Sequence, residues 1–415
     1  MPYDATDASP TAPAAAPGRP APHTCYLDYA AATPMAPEAL EAMLPYLSER
    51  FCNPSAPYAL ARAAKADFED ARARLAHVIG ARPDNVTLTA GATEANNLAF
   101  AAVDGPVLTV ATEHESTLRV AEAREHAFVP VSPEGLVDPA EVARALTPQT
   151  QLVSISLANG EIGCVQPIRR IAQVVRSERM RRLEAGQKCP LLLHTDASQA
   201  AGNVSVNVST LGADLVTLSA AKVYGPKQVG LLWAADGVEL RPLTLGGGQE
   251  RGVRSGTENV AGVVAFARAL ELAEELRPQE SRRLAMLRDG LQGRIMAAFP
   301  WAWVSGPRSG KSRLPGLMHV SFPGLEARRL VILLERVGVC VGTGSACAAS
   351  KMRVSHVLRA VGVPDDVAAG SLRITLGRPT TAEDVDYAAR AICDAVRQEA
   401  GRLGIDPATG RKDVI

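Results

Sequence analysis

From about residue 84, apolar and polar positions follow one repeated grammar: a short apolar run, a small or polar turn, then a helical stretch. The runs fall at residues 86–89, 107–111, 152–157, 191–195, 215–218 and 230–234. Several are apolar almost throughout instead of alternating, the pattern of strands buried on both faces of a parallel sheet. Segments between them, such as 141–146 and 168–185, suit crossover helices. The grammar predicts an α/β fold built on a large, doubly wound, mostly parallel sheet. Beyond Gly256 the pattern changes. Long helices are expected at 260–276 and 281–299, short strands at 319–322, 338–341 and 372–376, and a closing helix at 382–402. The expected division is a large domain over 41–278 and a smaller α+β domain over 24–40 and 279–415. Residues 1–23 are rich in proline and alanine, with no apolar core behind a basic start. They read as a disordered tail and not as a secretory signal.

With 415 residues, 47% of them hydrophobic, the chain is long enough for a substantial core. Lysine plus arginine number 44 and aspartate plus glutamate 44, so no global field draws it to nucleic acid or to an anionic membrane. No apolar run approaches the roughly 18 residues of a membrane span. The seven cysteines, Cys25, Cys52, Cys164, Cys189, Cys340, Cys347 and Cys393, are scattered and form no C-x-x-C pair. That pattern argues against a disulfide framework or a metal site, and for reduced thiols in a cytoplasmic setting.

In open α/β sheets, ligands collect beyond the carboxyl ends of the strands. Here that edge is expected to receive Gly91-Ala92-Thr93-Glu94, His114, Asn159, Asp196 and Lys222. Lys222 follows an apolar strand and precedes a Gly-Pro turn, which suits a Schiff-base lysine for a carbonyl cofactor better than a solvated charge. Asp196, at a strand end, is either a helix cap or the carboxylate that keeps a pyridine nitrogen protonated. The Ala92-Thr93 turn opens a helix and either cradles a phosphate or is an ordinary capped turn. His114 is a structural histidine or a ring that stacks on a cofactor. The glycine-rich segment 245–259, with Arg251, Arg254 and Thr257, reads as an anion-binding loop or a solvated linker. Cys347 stands among small, flexible residues, the setting of a mobile nucleophile more than of a packed cysteine, and nearby Lys351 and Arg353 favour its thiolate. Arg373 interrupts an apolar strand and either forks onto a carboxylate in a cleft or makes a surface ion pair.

Taken in order, these segments resemble the cysteine desulfurases of the class V aminotransferase group, enzymes of PLP fold type I. The resemblance runs from about Tyr26 to Leu403. It opens with Tyr26-Leu27-Asp28-Tyr29-Ala30-Ala31-Ala32-Thr33-Pro34 and Asn53-Pro54-Ser55. It continues through Gly91-Ala92-Thr93-Glu94, Glu161-Ile162-Gly163, Lys222-Val223-Tyr224-Gly225-Pro226-Lys227 and Arg254-Ser255-Gly256-Thr257, and closes with Gly344-Ser345-Ala346-Cys347. The resemblance implies pyridoxal 5'-phosphate (PLP) as cofactor and L-cysteine as substrate. By it, Lys222 carries the cofactor and moves protons, Asp196 holds the pyridine nitrogen, Gln199 the ring oxygen, and His114 stacks on the ring. Ala92, Thr93 and Ser219 bind the phosphate, joined by Thr257 from the other subunit of a homodimer. Arg373 and Asn53 receive the substrate carboxylate. Cys347 takes the sulfur as a persulfide, leaving alanine, and passes it to an acceptor protein of iron–sulfur assembly or tRNA thiolation.

Some positions depart from the pattern. Ala221 stands where the group usually has histidine, removing a phosphate partner worth about 0.5–1.5 kcal/mol. Gly160 replaces the second asparagine of Asn-Asn-Glu, and Tyr58 and Gln249 replace frequent histidines. The segments around Asn53 and Gly246 also resemble selenocysteine lyase, and the lost polar groups admit a cofactor-free scaffold. Both stand as alternatives.

Overall fold

A computed structural model describes residues 24–343 and 355–412. Its strands, in chain order, are β1 (Cys25–Tyr26), β2 (Val86–Thr89), β3 (Val107–Thr109), β4 (His126–Phe128), β5 (Leu152–Ser154), β6 (Leu192–Asp196), β7 (Leu215–Ser219), β8 (Gly230–Ala234), β9 (Trp303–Ser305), β10 (Leu317–Ser321), β11 (Val339–Cys340) and β12 (Ser371–Thr375). Seven of them form one sheet in the order β2-β8-β7-β6-β5-β3-β4. Strands β7, β6, β5, β3 and β4 run parallel, and β8 lies antiparallel between β7 and β2. The expected mostly parallel sheet is therefore present. β8 reverses because its connection from β7 is too short for the crossover helix that a parallel return requires.

Strands β2, β3, β5, β7 and β8 are buried at every position; β3, β5, β7 and β8 accordingly run mostly apolar, while β2, Val-Thr-Leu-Thr, alternates and buries its threonines as well. Some of the polar side chains inside bond across the strands: Thr109 Oγ1 donates to Ser154 O at 2.7 Å. In β6, His194 Nδ1 meets Ser154 Oγ at 2.8 Å and Nε2 meets Thr217 Oγ1 at 3.1 Å, so one ring ties three central strands. Burial lowers its pKa to about 4, leaving the imidazole neutral. The runs expected at 107–111 and 152–157 stop as strands at Thr109 and Ser154, because the following residues leave the ladder to form site loops. β4 carries no apolar run: it is a three-residue edge strand with Ala127 and Phe128 exposed.

The first core fills one face of this sheet, and a smaller one under the helix Ala92–Ala101 fills the other, with Val107, Leu152, Leu215 and Leu232 pointing into it. A second large core packs around the antiparallel sheet β12-β10-β9, under the Ala382–Arg402 helix. The helices expected at 260–276 and 281–299 are one 39-residue helix, Val260–Ala298, with Pro278 inside it. Proline removes a main-chain donor and normally kinks or ends a helix. Here the chain is packed on both sides of it: Val263, Phe266 and Leu270 enter the first core, and Leu284, Leu291 and Ile295 the second. No described helix is long and apolar enough to cross a membrane.

Candidate active site

Loops that follow β2, β3, β5, β6 and β7 open onto one cleft of about 470 Å³, within the roughly 300–1,000 Å³ typical of small-molecule sites. Ala92, Thr93, His114, Asp196, Gln199, Ser219, Lys222 and Arg373 all line it. Asn53 and Thr257 do not, and Cys347 lies outside the described residues.

Lys222 ends a single tight turn, Ala220–Lys222, directly after β7. Its Nζ donates to the carbonyl oxygens of Ala30 at 2.8 Å and Ala31 at 2.6 Å. Burial, helped by the Arg373 cation, lowers its pKa to about 8, while Asp196 and Asp28 pull the other way. Such an amine exchanges its proton near physiological pH, as an amine nucleophile must. Asp196 ends β6 with both oxygens fixed: Asn96 Nδ2 donates to Oδ2 at 2.8 Å and the Ser198 amide to Oδ1 at 2.9 Å. It thus serves the local turn, as a cap would, while lining the cleft. Gln199 Nε2 donates to Ala30 O at 3.0 Å. A Cβ added at position 160 would stand 2.8 Å from the Gln199 amide carbon, so Gly160 makes room for that side chain.

The helix Ala92–Ala101 starts from Gly91, whose φ of 109° suits glycine and few other residues. The first amides of a helix have no intrahelical acceptor, and they are offered here beside the Thr93 and Ser219 hydroxyls that line the same cleft. His114 caps the helix Glu115–Glu122, its Nδ1 accepting the Ser116 amide at 3.1 Å. That bond places the proton of the neutral ring on Nε2. Desolvation by the surrounding protein holds its pKa below the ordinary histidine value.

Four contributors escaped the sequence reading. Asn96 lies one helical turn beyond Thr93, and its role in fixing Asp196 depends on a strand far along the chain. Glu113 is buried, with Oε1 accepting the Ser156 amide at 2.6 Å and Oε2 accepting Ser156 Oγ. Burial lifts its pKa to about 7 against those bonds. The Glu113 carbonyl meets His356 Nε2 at 2.9 Å. Asp28 takes a bond from Arg373 Nη2 at 2.8 Å, and burial raises its pKa despite that cation.

Arg373 is 5% exposed, so it is a cleft residue and not a surface ion pair. Its Nη1 donates to Gly160 O at 3.2 Å, while its buried Nε has no partner among the described residues. Its backbone also pairs both ways with Gly342, at 3.0 and 2.7 Å. Gly342 and His356 thus hold the chain at the cleft on either side of residues 344–354.

Asn53 is exposed, and its Oδ1 accepts the Ser55 amide at 2.9 Å. Thr257 lines a neighbouring cavity with Arg254 and Gln228. The arginines of its loop are occupied structurally: Arg254 Nε pairs with Glu94 Oε1 at 2.8 Å, and Arg251 Nη2 donates to Val86 O at 2.8 Å. Glu250 forms a two-point buried pair with Arg72, at 2.7 Å in each bond, and anchors the loop.

The cleft fits a phosphorylated, ring-bearing carbonyl cofactor. It offers an amine of lowered pKa, an immobilised carboxylate and a helix start. Two of its residues also keep buried polar atoms without partners among the described residues, Ser198 Oγ and Arg373 Nε. The aminotransferase class-V family profile matches residues 25–388. The cysteine desulfurase IscS of Dictyoglomus turgidum is 40% identical over 374 residues, covering 87% of this chain and 92% of that protein. The cysteine desulfurase IscS of Clostridium botulinum is 37% identical over 385 residues, covering 90% and 94% respectively. Among solved structures, a NifS-like protein superposes with a TM-score of 0.82 at 31% identity, covering 91% of this chain and 100% of that one. A NifS-like protein from Rickettsia africae does so with a TM-score of 0.81 at 28% identity, covering 90% and 99%. By profile, sequence and fold along nearly its whole described length, the chain belongs to the class-V aminotransferase family, in the group of the cysteine desulfurases.

Proposed function

We propose that the protein is a PLP-dependent cysteine desulfurase, which takes the sulfur of L-cysteine as a persulfide on Cys347 and releases L-alanine. The observation that carries this reading is the meeting of Lys222, Asp196 and Arg373 in one cleft, with the Lys222 pKa lowered to about 8. When bound, PLP supplies an electron sink for the bonds at the substrate Cα. Lys222 holds the cofactor carbonyl and moves the proton at Cα. Asp196, immobilised by Asn96 and Ser198, keeps the pyridine nitrogen protonated. Gln199 spends one N–H on Ala30 O and keeps a second for the ring oxygen. His114, held toward its neutral form, stacks on the ring. Ala92, Thr93 and Ser219 bind the phosphate.

Arg373 receives the substrate carboxylate by sharing the fork now bonded to Asp28. The Cys347 thiolate attacks the substrate Sγ, the Cβ–Sγ bond breaks, and its electron pair stays with Cβ, which is protonated on the way to alanine. The anchoring of Gly342 and His356 at the cleft supports this role for a residue between them. Thr257 contributes from the other subunit of a homodimer, in keeping with its position outside its own chain's cleft, and Asn53 joins Arg373 in receiving the carboxylate. The persulfide passes to an acceptor protein in the cytoplasm, for iron–sulfur assembly or tRNA thiolation.

Replacing Cys347 by serine tests the central step. Cys347→Ser should keep the visible absorption of bound PLP and lose the persulfide detected by mass spectrometry after cysteine is added. A persulfide persisting on the variant would move the nucleophile elsewhere, with Cys340 the next thiol to examine.

A further inference from the structure

Among the described residues, four other than glycine have positive φ: Tyr224 (63°), Gln228 (60°), Glu250 (49°) and Arg251 (56°). Glutamine is an uncommon occupant of that region, which glycine enters without strain. The other three side chains are engaged: Tyr224 Oη accepts the Arg378 amide at 2.7 Å, Glu250 pairs with Arg72, and Arg251 donates to Val86 O. Gln228 is exposed and makes no hydrogen bond among the described residues. It lines the cleft together with Ala92, Thr93, Ser219 and Lys227. Its turn is pressed onto the start of the helix Ala92–Ala101, for a Cβ at Gly230 would come 2.7 Å from Gly91 Cα. At Ala221, in the same lining, the side chain has nothing polar to offer.

Resting on the cofactor reading above, we propose that Gln228 is kept in its strained conformation as a ligand of the cofactor phosphate. Its side-chain amide donates to the anion beside the helix start, and the Lys227 ammonium adds charge. Backbone strain at a cleft, with a side chain that nothing in the chain uses, points to a ligand for that side chain.

The test titrates the full-length chain, stripped of cofactor, with PLP and with pyridoxal, which lacks the phosphate, following absorbance. Gln228→Gly should weaken PLP binding about tenfold, leave pyridoxal binding unchanged and raise the apoprotein Tm by relieving strain. Gln228→Ala should match it in PLP affinity without the gain in Tm. A Gln228→Gly variant that gains Tm but binds PLP within about twofold of wild type would overturn the proposal and leave the enzyme reading intact. A wild-type chain that binds pyridoxal as tightly as PLP would overturn it as well. A wild-type chain that binds neither overturns the cofactor reading itself.

Discussion

A buried amine that loses its proton near pH 8 adds to a carbonyl fastest once it is neutral. PLP association with the stripped protein, followed by stopped-flow absorbance, should therefore accelerate through about pH 8 and level off above it. Arg373→Gln removes a cation that helps depress Lys222 and leaves Asp28 beside it, so the midpoint should move upward. A rate flat across that range would contradict the assignment. Glu113 makes a second prediction, on stability. Its pKa is about 7 in the folded chain against an ordinary 4.5, so the folded state binds the proton more tightly. The benefit of holding that proton is full below about pH 4.5 and is lost as pH climbs through 7. Above that, the buried charge costs on the order of 3 kcal/mol. Glu113→Gln should thus stabilise the protein clearly at pH 8 and by less than about 1 kcal/mol at pH 5. Equal gains in thermal unfolding at both pH values would contradict it. Single residues were legible in the sequence where a strand end exposes them, as with Asp196 and Lys222. Asn96, Glu113 and Asp28 were not, because each acts through a partner that only the folded sheet brings near.

At the scale of elements, the glycine-rich loop is held by chemistry that local composition hides. Arg72, in the helix Ala59–Val78, forks onto Glu250 and also donates to Val86 O at 2.9 Å, while Glu250 Oε2 accepts the Leu88 amide at 2.8 Å. The pair is buried, with both side chains below 5% exposure. Removing one partner strands the other charge, so Arg72→Ala should cost about 3–5 kcal/mol and open the loop to proteolysis near Thr257. Unchanged unfolding would show the pair to be dispensable. Strong periodicity located β2, β8 and the Ala382–Arg402 helix to the residue. It failed where a local rule met a tertiary override. Pro278 predicts a break, but apolar faces on both sides of it keep the helix intact. β4, with two exposed residues, carries no burial signal to read. Arg251 and Arg254 looked free for an anion until the fold supplied Val86 O and Glu94.

At the scale of the whole molecule, the cleft of one chain lacks Thr257 and Asn53, and large apolar side chains stand exposed near both. Phe51 is 71% exposed and Leu245 82%. On the proposed reading, in which Thr257 reaches the cleft of a second copy and these side chains are covered, the protein should sediment at twice the chain mass. The double variant Phe51→Asp, Leu245→Asp should dissociate and lose PLP more readily on dialysis. A fully active monomer would rule out a shared site. The change of grammar after Gly256 coincides with the passage from the seven-stranded sheet to the three-stranded one, each packed with its own core. What the sequence hid was the continuous helix joining them. The most direct test of the central claim is the absorption spectrum of the purified protein before and after L-cysteine, with alanine and sulfide assayed together. The account predicts a visible band from PLP held by Lys222, a change in that band on adding cysteine, and alanine equal to the sulfur released. A protein that takes up PLP yet releases neither product from cysteine, or acts on selenocysteine alone, would contradict it.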